Sequence, residues 1–252
     1  MSDYYRQIDE QNIWQIMTAE AGVVAKDFPI LASKYQASIL NHSSFISALC
    51  YCLASKVSDE ASAIPDWHQF LLATAAQHSV IEEGAKQDLF CQLKSNASIK
   101  DHHTPFLYFG GYHALQVHRF AHALWHDNQR AVASFMQSQS AACFGVDIHP
   151  AASIGLGIFI DHAVGIVIGE TAVVEEGVTL FQGVTLGGTG KGEGERHPKV
   201  RKGAFIGAGA QLFGNIEVGA YAKVAGGAVL VNSVPEHVTV VGSKATIINR
   251  SE

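Results

Sequence analysis

The chain has 252 residues, 48% of them hydrophobic, and a formal net charge of −6. That much apolar content supports one large or two medium domains and excludes a disordered chain. The acidic balance excludes a general affinity for nucleic acid. No run of about eighteen apolar residues marks a membrane span. The charged start (Asp3, Arg6, Asp9, Glu10) does not read as a signal peptide. The four cysteines (Cys50, Cys52, Cys91, Cys143) form no C-x-x-C and no even framework, which suits a reducing, cytoplasmic setting.

Residues 1–145 are rich in Ala, Leu, Gln and Ser and poor in glycine, so they are expected to form an all-helical domain. Helices are expected over Asp3–Ala25 and Leu31–Ser55, then from about Asp66 with Pro65 in the first turn, and over Ala75–Lys94. Thr104-Pro105 and Gly110-Gly111 punctuate the chain before a last long helix from Tyr112 to about Ala142. His118, His122 and His126 fall at i, i+4 and i+8 on that helix, a spacing that can bind a metal. With no carboxylate at the same spacing and no H-E-x-x-H, they read as a polar face or an interface, and no metal is expected.

From residue 146 to 245 the pattern changes to a period of six. Apolar or small residues recur at Ile148, Ile154, Ile160, Ile166, Ala172, Val178 and Val184, and again at Val200, Ile206, Leu212, Val218, Val224 and Leu230. A fixed short period is the signature of a hexapeptide-repeat parallel β-helix. Three hexads make one triangular coil. Residues eighteen apart should therefore stack, Ile148 on Ile166 on Val184 and Ile154 on Ala172. Val184 to Val200 is one hexad plus ten residues, so a glycine-rich loop, 187–199, must leave the prism. Between Lys191 and Lys202 five Lys/Arg face two Glu, a local net of +3 suited to an anionic ligand. An open solenoid end needs a cap, which the helical domain can supply, and spare apolar helices suggest subunit contacts. Residues 246–252 form a short tail.

Several segments together resemble serine acetyltransferases. They are Thr104-Pro105 with Gly111-Tyr112-His113-Ala114-Leu115-Gln116; Val146-Asp147-Ile148-His149-Pro150-Ala151; Asp161-His162-Ala163; Gly169-Glu170-Thr171-Ala172; Val184 to Lys191; Arg196-His197-Pro198-Lys199; Gly207-Ala208-Gly209-Ala210; and Gly214-Asn215-Ile216-Glu217-Val218-Gly219. The resemblance implies a left-handed parallel β-helix that transfers acetyl from acetyl-CoA to the hydroxyl of L-serine. It maps the catalytic base onto His162 and its carboxylate partner onto Asp147. Fifteen residues separate the two, which would put them on neighbouring coils near one edge. Asp161, Arg196 and His197 map onto the amino-acid site, Arg196 offering a planar fork for a carboxylate. Gly188, Thr189, Ala208 and Gly226 map onto backbone contacts to coenzyme A, and Lys223 onto a phosphate contact. His149 maps onto a structural position. The family's site lies between subunits of a homotrimer or a dimer of trimers, so the loop of one chain would meet the dyad of another.

Two departures bear on regulation. Where the family often has an aspartate that reaches the substrate ammonium, this chain has Asn96, which keeps an acceptor oxygen but loses the charge. Weaker serine binding and weaker feedback inhibition by L-cysteine are expected. The tail ends Ile248-Asn249-Arg250-Ser251-Glu252 rather than in an isoleucine, so a tight complex with O-acetylserine sulfhydrylase is not expected. Three rivals share the period of six. They are an acetyltransferase for a sugar or other small acceptor, a β-helix carbonic anhydrase, for which His149, His162, His197 and His237 lack ligand spacing, and a non-catalytic scaffold.

Overall fold

The helical half breaks more often than its composition suggests, and each break has a local cause. The structure is a computed structural model describing residues 12–190 and 194–246; the expectations for residues 3–11, Lys191 and the tail from 247 fall outside them. Helix α1 (Ile13–Asp27) stops before Pro29, which opens α2 (Pro29–Tyr35), and a π turn at Gln36–Leu40 follows. The single helix expected over Leu31–Ser55 is therefore interrupted. Ser44 leaves the helical region and accepts from the Ser47 N–H at 3.3 Å, capping α3 (Phe45–Val57). Helices α4 (Ile64–Gln77), α5 (Val80–Ser95) and α6 (His103–Tyr108) come next, and Pro65 sits in the first turn of α4 as expected.

The last long helix is two, α7 (Gly110–His126) and α8 (Arg130–Phe144). Between them Asn128 takes φ 63°, a left-handed conformation that no right-handed helix continues and that Asn tolerates better than most residues. Gly145, at φ 65°, closes α8 and hands the chain to the solenoid.

The solenoid is a triangular prism of parallel sheets. Its first face stacks β1 (Val146–Ile148), β4 (Ile166–Ile168), β7 (Thr185–Gly187), β10 (Gln211–Phe213) and β13 (Val229–Leu230). The second stacks β2 (Ser153–Ile154), β5 (Val173–Val174), β8 (Lys199–Val200) and β11 (Glu217–Val218). The third stacks β3 (Phe159–Asp161), β6 (Thr179–Phe181), β9 (Phe205–Ile206), β12 (Lys223–Val224) and β14 (Thr239–Val240). The expected stacks need correction. Ile148 lies under Ile168, Val146 under Ile166, and Ile154 under Val174, an offset of twenty rather than eighteen.

The reason is that each strand turns two side chains inward, two residues apart, as with Ala172 and Val174 or Val184 and Leu186, all buried. A six-residue count slides unnoticed from one inward position to the other. The slide occurs at one corner. Ile160 to Ile166 takes six residues, while Leu180 to Val184, which stack on them, takes four. Counted from Leu186 to Val200, the excursion loop is then one hexad plus eight residues, not ten. Burying each Val, Ile or Leu is worth roughly 1.5–3 kcal/mol relative to leaving it exposed. The column of such residues from Val146 to Leu230 accordingly holds the coils together.

Helix α7 caps the open end. Its Ala114 and Leu115 belong to the solenoid core, and a Cβ on Gly111 would collide with the Ile160 carbonyl, so only glycine allows this approach. A buried ion pair fastens the junction. Asp88 on α5, fully buried, accepts from Arg119 Nε at 2.8 Å, Arg119 Nη2 at 2.9 Å, Gln116 Nε2 at 3.0 Å and the Ile158 N–H at 3.0 Å. Arg119 also donates to the Gly155 carbonyl at 2.8 Å. Burial opposes the Asp88 charge, and these donors offset it.

Candidate active site

Most of the expected site residues fall on two different edges of the prism; Asp147 and Lys223 lie on its faces and Asn96 at the end of α5. One edge is the corner between the third and first faces. There the two surplus residues of the first coil lift a turn away from the stack. His162 takes φ 57° and Ala163 φ 71°, both left-handed, and backbone held this way clusters at functional sites. The turn is pinned by Ala163 N–H to Asp161 O at 2.7 Å and Val164 N–H to His162 O at 2.9 Å. Ala163 fills the core while the His162 side chain remains 71% exposed. Asp161 accepts from the His162 N–H at 3.1 Å, and its other oxygen lies 3.7 Å from His162 Nε2.

The same edge continues upward through successive coils. Gly183 N–H bonds Val164 O at 2.9 Å, Gly209 N–H bonds Gln182 O at 2.8 Å, and Gly227 N–H bonds Ala208 O at 2.8 Å. Ala208 and Gly226 thus stand in line above His162. A Cβ on Gly226 would lie 2.9 Å from the Ala208 carbonyl, so the edge stays narrow there. Lys223 is exposed on the adjoining third face, in β12. At the foot of the edge, Gln92 Nε2 reaches Ile160 O at 3.5 Å. Asn96, one turn later, caps the C-terminal end of α5. Its Oδ1 accepts from Ser98 N–H at 3.0 Å and Ser98 Oγ at 2.6 Å.

The other edge joins the first and second faces and carries His149, Glu170, Thr171, Gly188, Thr189, Arg196 and His197. His197 is buried, its Nδ1 held by Thr171 Oγ1 at 2.9 Å and the Thr171 N–H at 3.2 Å. Gly169 has to be glycine, because a Cβ there would overlap the His197 ring; one on Gly188 would come within 3.3 Å of it. Burial, then the Arg196 and Lys199 charges, push the His197 imidazole down, with Glu170 opposing. Arg196 is already engaged: its Nη2 pairs with Glu170, and its Nη1 donates to Gly194 O at 3.2 Å. The guanidinium holds the Glu170 carboxyl below its usual range. His149, which stacks a ring edge on Trp125 at 5.0 Å, is lowered by burial against the raising effect of Glu170 and Asp147.

Asp147 projects from β1 between the two edges, exposed, and accepts from Gln137 Nε2 at 2.6 Å. Among the described residues no hydrogen bond joins it to His162; the carboxylate beside that imidazole is Asp161. Glu170 was not singled out as a binding residue by the sequence. It lies twenty-six residues before Arg196, which is the observed offset between the second and third coils on the faces that follow it (Val173 under Lys199, Thr179 under Phe205). The correct coil length would have exposed the pairing.

A parallel prism of hexads closed by a helical cap, with an exposed histidine at a strained corner, defines the hexapeptide-repeat acyltransferase class. Comparison with known proteins narrows this. A family model described as serine acetyltransferase, N-terminal, matches residues 13–117. Serine acetyltransferase of Haemophilus influenzae is 42% identical over 241 residues, 96% of this chain and 90% of that protein. That of Escherichia coli K12 is 44% identical over 250 residues, 95% and 88%. The chain belongs to the serine acetyltransferase family. Among solved structures, the Neisseria gonorrhoeae enzyme in complex with serine superposes with a TM-score of 0.91 at 36% identity, covering 98% of this chain and 100% of that one. A serine acetyltransferase complex with cysteine gives 0.91 at 42%, covering 97% and 95%. The Brucella abortus enzyme in complex with coenzyme A gives 0.90 at 39%, covering 98% and 98%.

Proposed function

We propose that this chain transfers the acetyl group of acetyl-CoA to the hydroxyl of L-serine, with His162 as general base. The serine hydroxyl attacks the thioester carbonyl as its proton passes to the imidazole. The tetrahedral oxyanion then collapses, the C–S bond breaks, and the thiolate of CoA takes the proton back from the imidazolium. An alcohol is a poor nucleophile near neutral pH, and a positioned base contributes roughly 10²–10⁴-fold. Asp161 and Asp147 supply negative charge near the corner, stabilising the imidazolium that forms in the transition state. Coenzyme A lies along the edge of Ala208 and Gly226, with Lys223 meeting a phosphate and Gly188 and Thr189 approaching from a facing edge.

The observation that carries this reading is the exposed imidazole in the left-handed turn, standing in line with Ala208 and Gly226. Arg196 and His197, expected to hold the serine carboxylate, belong to a different edge of the same prism. One chain does not offer both edges to a single small molecule, which supports a site shared between copies in a trimer or dimer of trimers. L-cysteine, differing from serine by one atom, competes for the same pocket. The test is thiol release from acetyl-CoA with serine, for the wild type and His162→Ala. Loss of two or more orders of magnitude in kcat with an unchanged thermal midpoint is expected; retained turnover would remove His162 from the mechanism.

A further inference from the structure

Attack on the thioester places a negative charge on the acetyl carbonyl oxygen, and the turn that carries His162 has spent its own N–H groups. The His162 N–H goes to Asp161 Oδ1 at 3.1 Å, Ala163 N–H to Asp161 O at 2.7 Å, Val164 N–H to His162 O at 2.9 Å and Gly165 N–H to Gly145 O at 2.8 Å. Gly183, on the coil above, gives its N–H to Val164 O at 2.9 Å. A donor for the oxyanion has to come from a side chain on the same edge.

The strand register supplies one. β3 and β6 pair Phe159 with Thr179, Ile160 with Leu180 and Asp161 with Phe181, so the next step of that register sets Gln182 over His162. β6 and β9 pair Leu180 with Ile206, and β9 and β12 pair Ile206 with Val224. Two residues further on, Gln182 stands beneath Ala208, and Ala208 beneath Gly226. Gln182 therefore sits one coil above the base, a step of roughly 4.8 Å, and directly below the small residues of the coenzyme A edge. In this column it is the one polar side chain besides His162.

Its carboxamide is unengaged. The side chain is half-buried, Oε1 is buried with no hydrogen-bond partner, and among the described residues no hydrogen bond uses Nε2. A carboxamide carries two N–H donors and no charge to repel a carboxylate or a thioester. Phe159, Phe181 and Phe205 line up on the adjoining third face, with successive ring centroids 6.4 and 5.2 Å apart. That apolar strip lowers the dielectric beside the amide, and a donor aimed at a developing charge is worth more in such a setting.

We propose that Gln182 is a further catalytic residue, whose Nε2–H donates to the acetyl carbonyl oxygen as it becomes the oxyanion. The inference rests on His162 as base and on the Ala208–Gly226 edge as the seat of coenzyme A. As serine Oγ bonds to the carbonyl carbon, the π pair of the C=O bond moves to oxygen and the hydroxyl proton passes to His162. The Gln182 N–H meets that oxygen and lets it go when the carbonyl re-forms and the C–S bond breaks. Gln182 transfers no proton itself. A bond that strengthens only in the transition state raises kcat rather than substrate affinity.

Gln182→Met, alike in length but without donors, and Gln182→Ala both keep the backbone N–H and so test the side chain alone. Initial rates of thiol release are measured for both and for His162→Ala, together with CoA affinity by calorimetry and the thermal midpoint. CoA lacks the acetyl carbonyl, so its affinity, the serine KM and the midpoint should hold while kcat falls about 10²–10³-fold, the usual loss on removing one oxyanion donor. A near-wild-type kcat in Gln182→Met, with His162→Ala inactive, would overturn the proposal and leave the base standing. A loss of CoA affinity that matches the loss of kcat would also overturn it, making Gln182 part of the coenzyme wall. Turnover retained in His162→Ala would remove the base, and this inference with it.

Discussion

Replacing Glu170 by Gln asks whether the proposed amino-acid site at Arg196 is occupied by the protein's own carboxylate before substrate arrives. Arg196 is paired with Glu170, and a serine carboxylate that binds Arg196 must displace or share that partner. The two side chains are 32% and 40% exposed, so solvent screens the pair strongly. An ion pair in that setting is worth about 0.2–1 kcal/mol. Removing the charge but keeping the shape frees Arg196 by that amount, which lowers the KM for serine by a factor of about 1.4 to 5. The kcat should change little, since Glu170 lies on a different edge of the prism from His162, the proposed base. Initial rates of thiol release over a serine titration, at saturating acetyl-CoA, measure both. A KM that rises in Glu170→Gln would refute the reasoning: Glu170 would then be orienting the guanidinium rather than competing for it.

Three further outcomes are expected. Asn96→Asp should tighten serine and cysteine binding several-fold, because a charged acceptor adds about 1 kcal/mol over a neutral one and the aspartate can still accept both bonds from Ser98; unchanged serine KM and cysteine inhibition would count against it. Asp88→Ala should cost about 3–5 kcal/mol in urea unfolding, since it strands a buried guanidinium, with Asp88→Asn intermediate; a loss under 1 kcal/mol for Asp88→Ala would show that the junction does not depend on the pair. Stability should also fall on acidification through His113, which is buried with Nε2 on the Phe106 carbonyl at 2.7 Å and lowered by burial to about 4. The unfolded imidazole takes a proton below its model value of 6.5 while the folded one stays neutral, so the stabilisation is complete above pH 6.5 and disappears towards pH 4. Between pH 7 and pH 5 this group accounts for about 2 kcal/mol, and His113→Gln should flatten the pH slope by that amount.

The prism was readable because a period of six survives in residues that must be apolar whatever their neighbours. Its phase was not. Ile160 and Ile166 are both buried, yet they occupy different inward positions, and only the strand pairing reveals that two residues were added between them. That error made the excursion loop two residues too long and hid Glu170 beneath Arg196. In the helical half, composition gave the class of structure but not the breaks at Ser44 and Asn128, which depend on one side-chain cap and one left-handed backbone. Asp88 and Arg119 carried no signal at all, being thirty-one residues apart on two helices whose meeting depends on the solenoid beneath them.

The longer corner of the first coil has a mechanical implication. Elsewhere on that edge four residues bridge strands whose ladders fix both ends, so motion in the bridge is transmitted to the stack. At Asp161 to Gly165 two extra residues are taken up in a turn fastened to itself, to Gly145 through the Gly165 N–H and to the next coil through Val164 O and the Gly183 N–H. In the proposed mechanism the exposed His162 ring rides on a turn two residues longer than its neighbours, while Val146 and Ile166 stay paired in the stack beneath it.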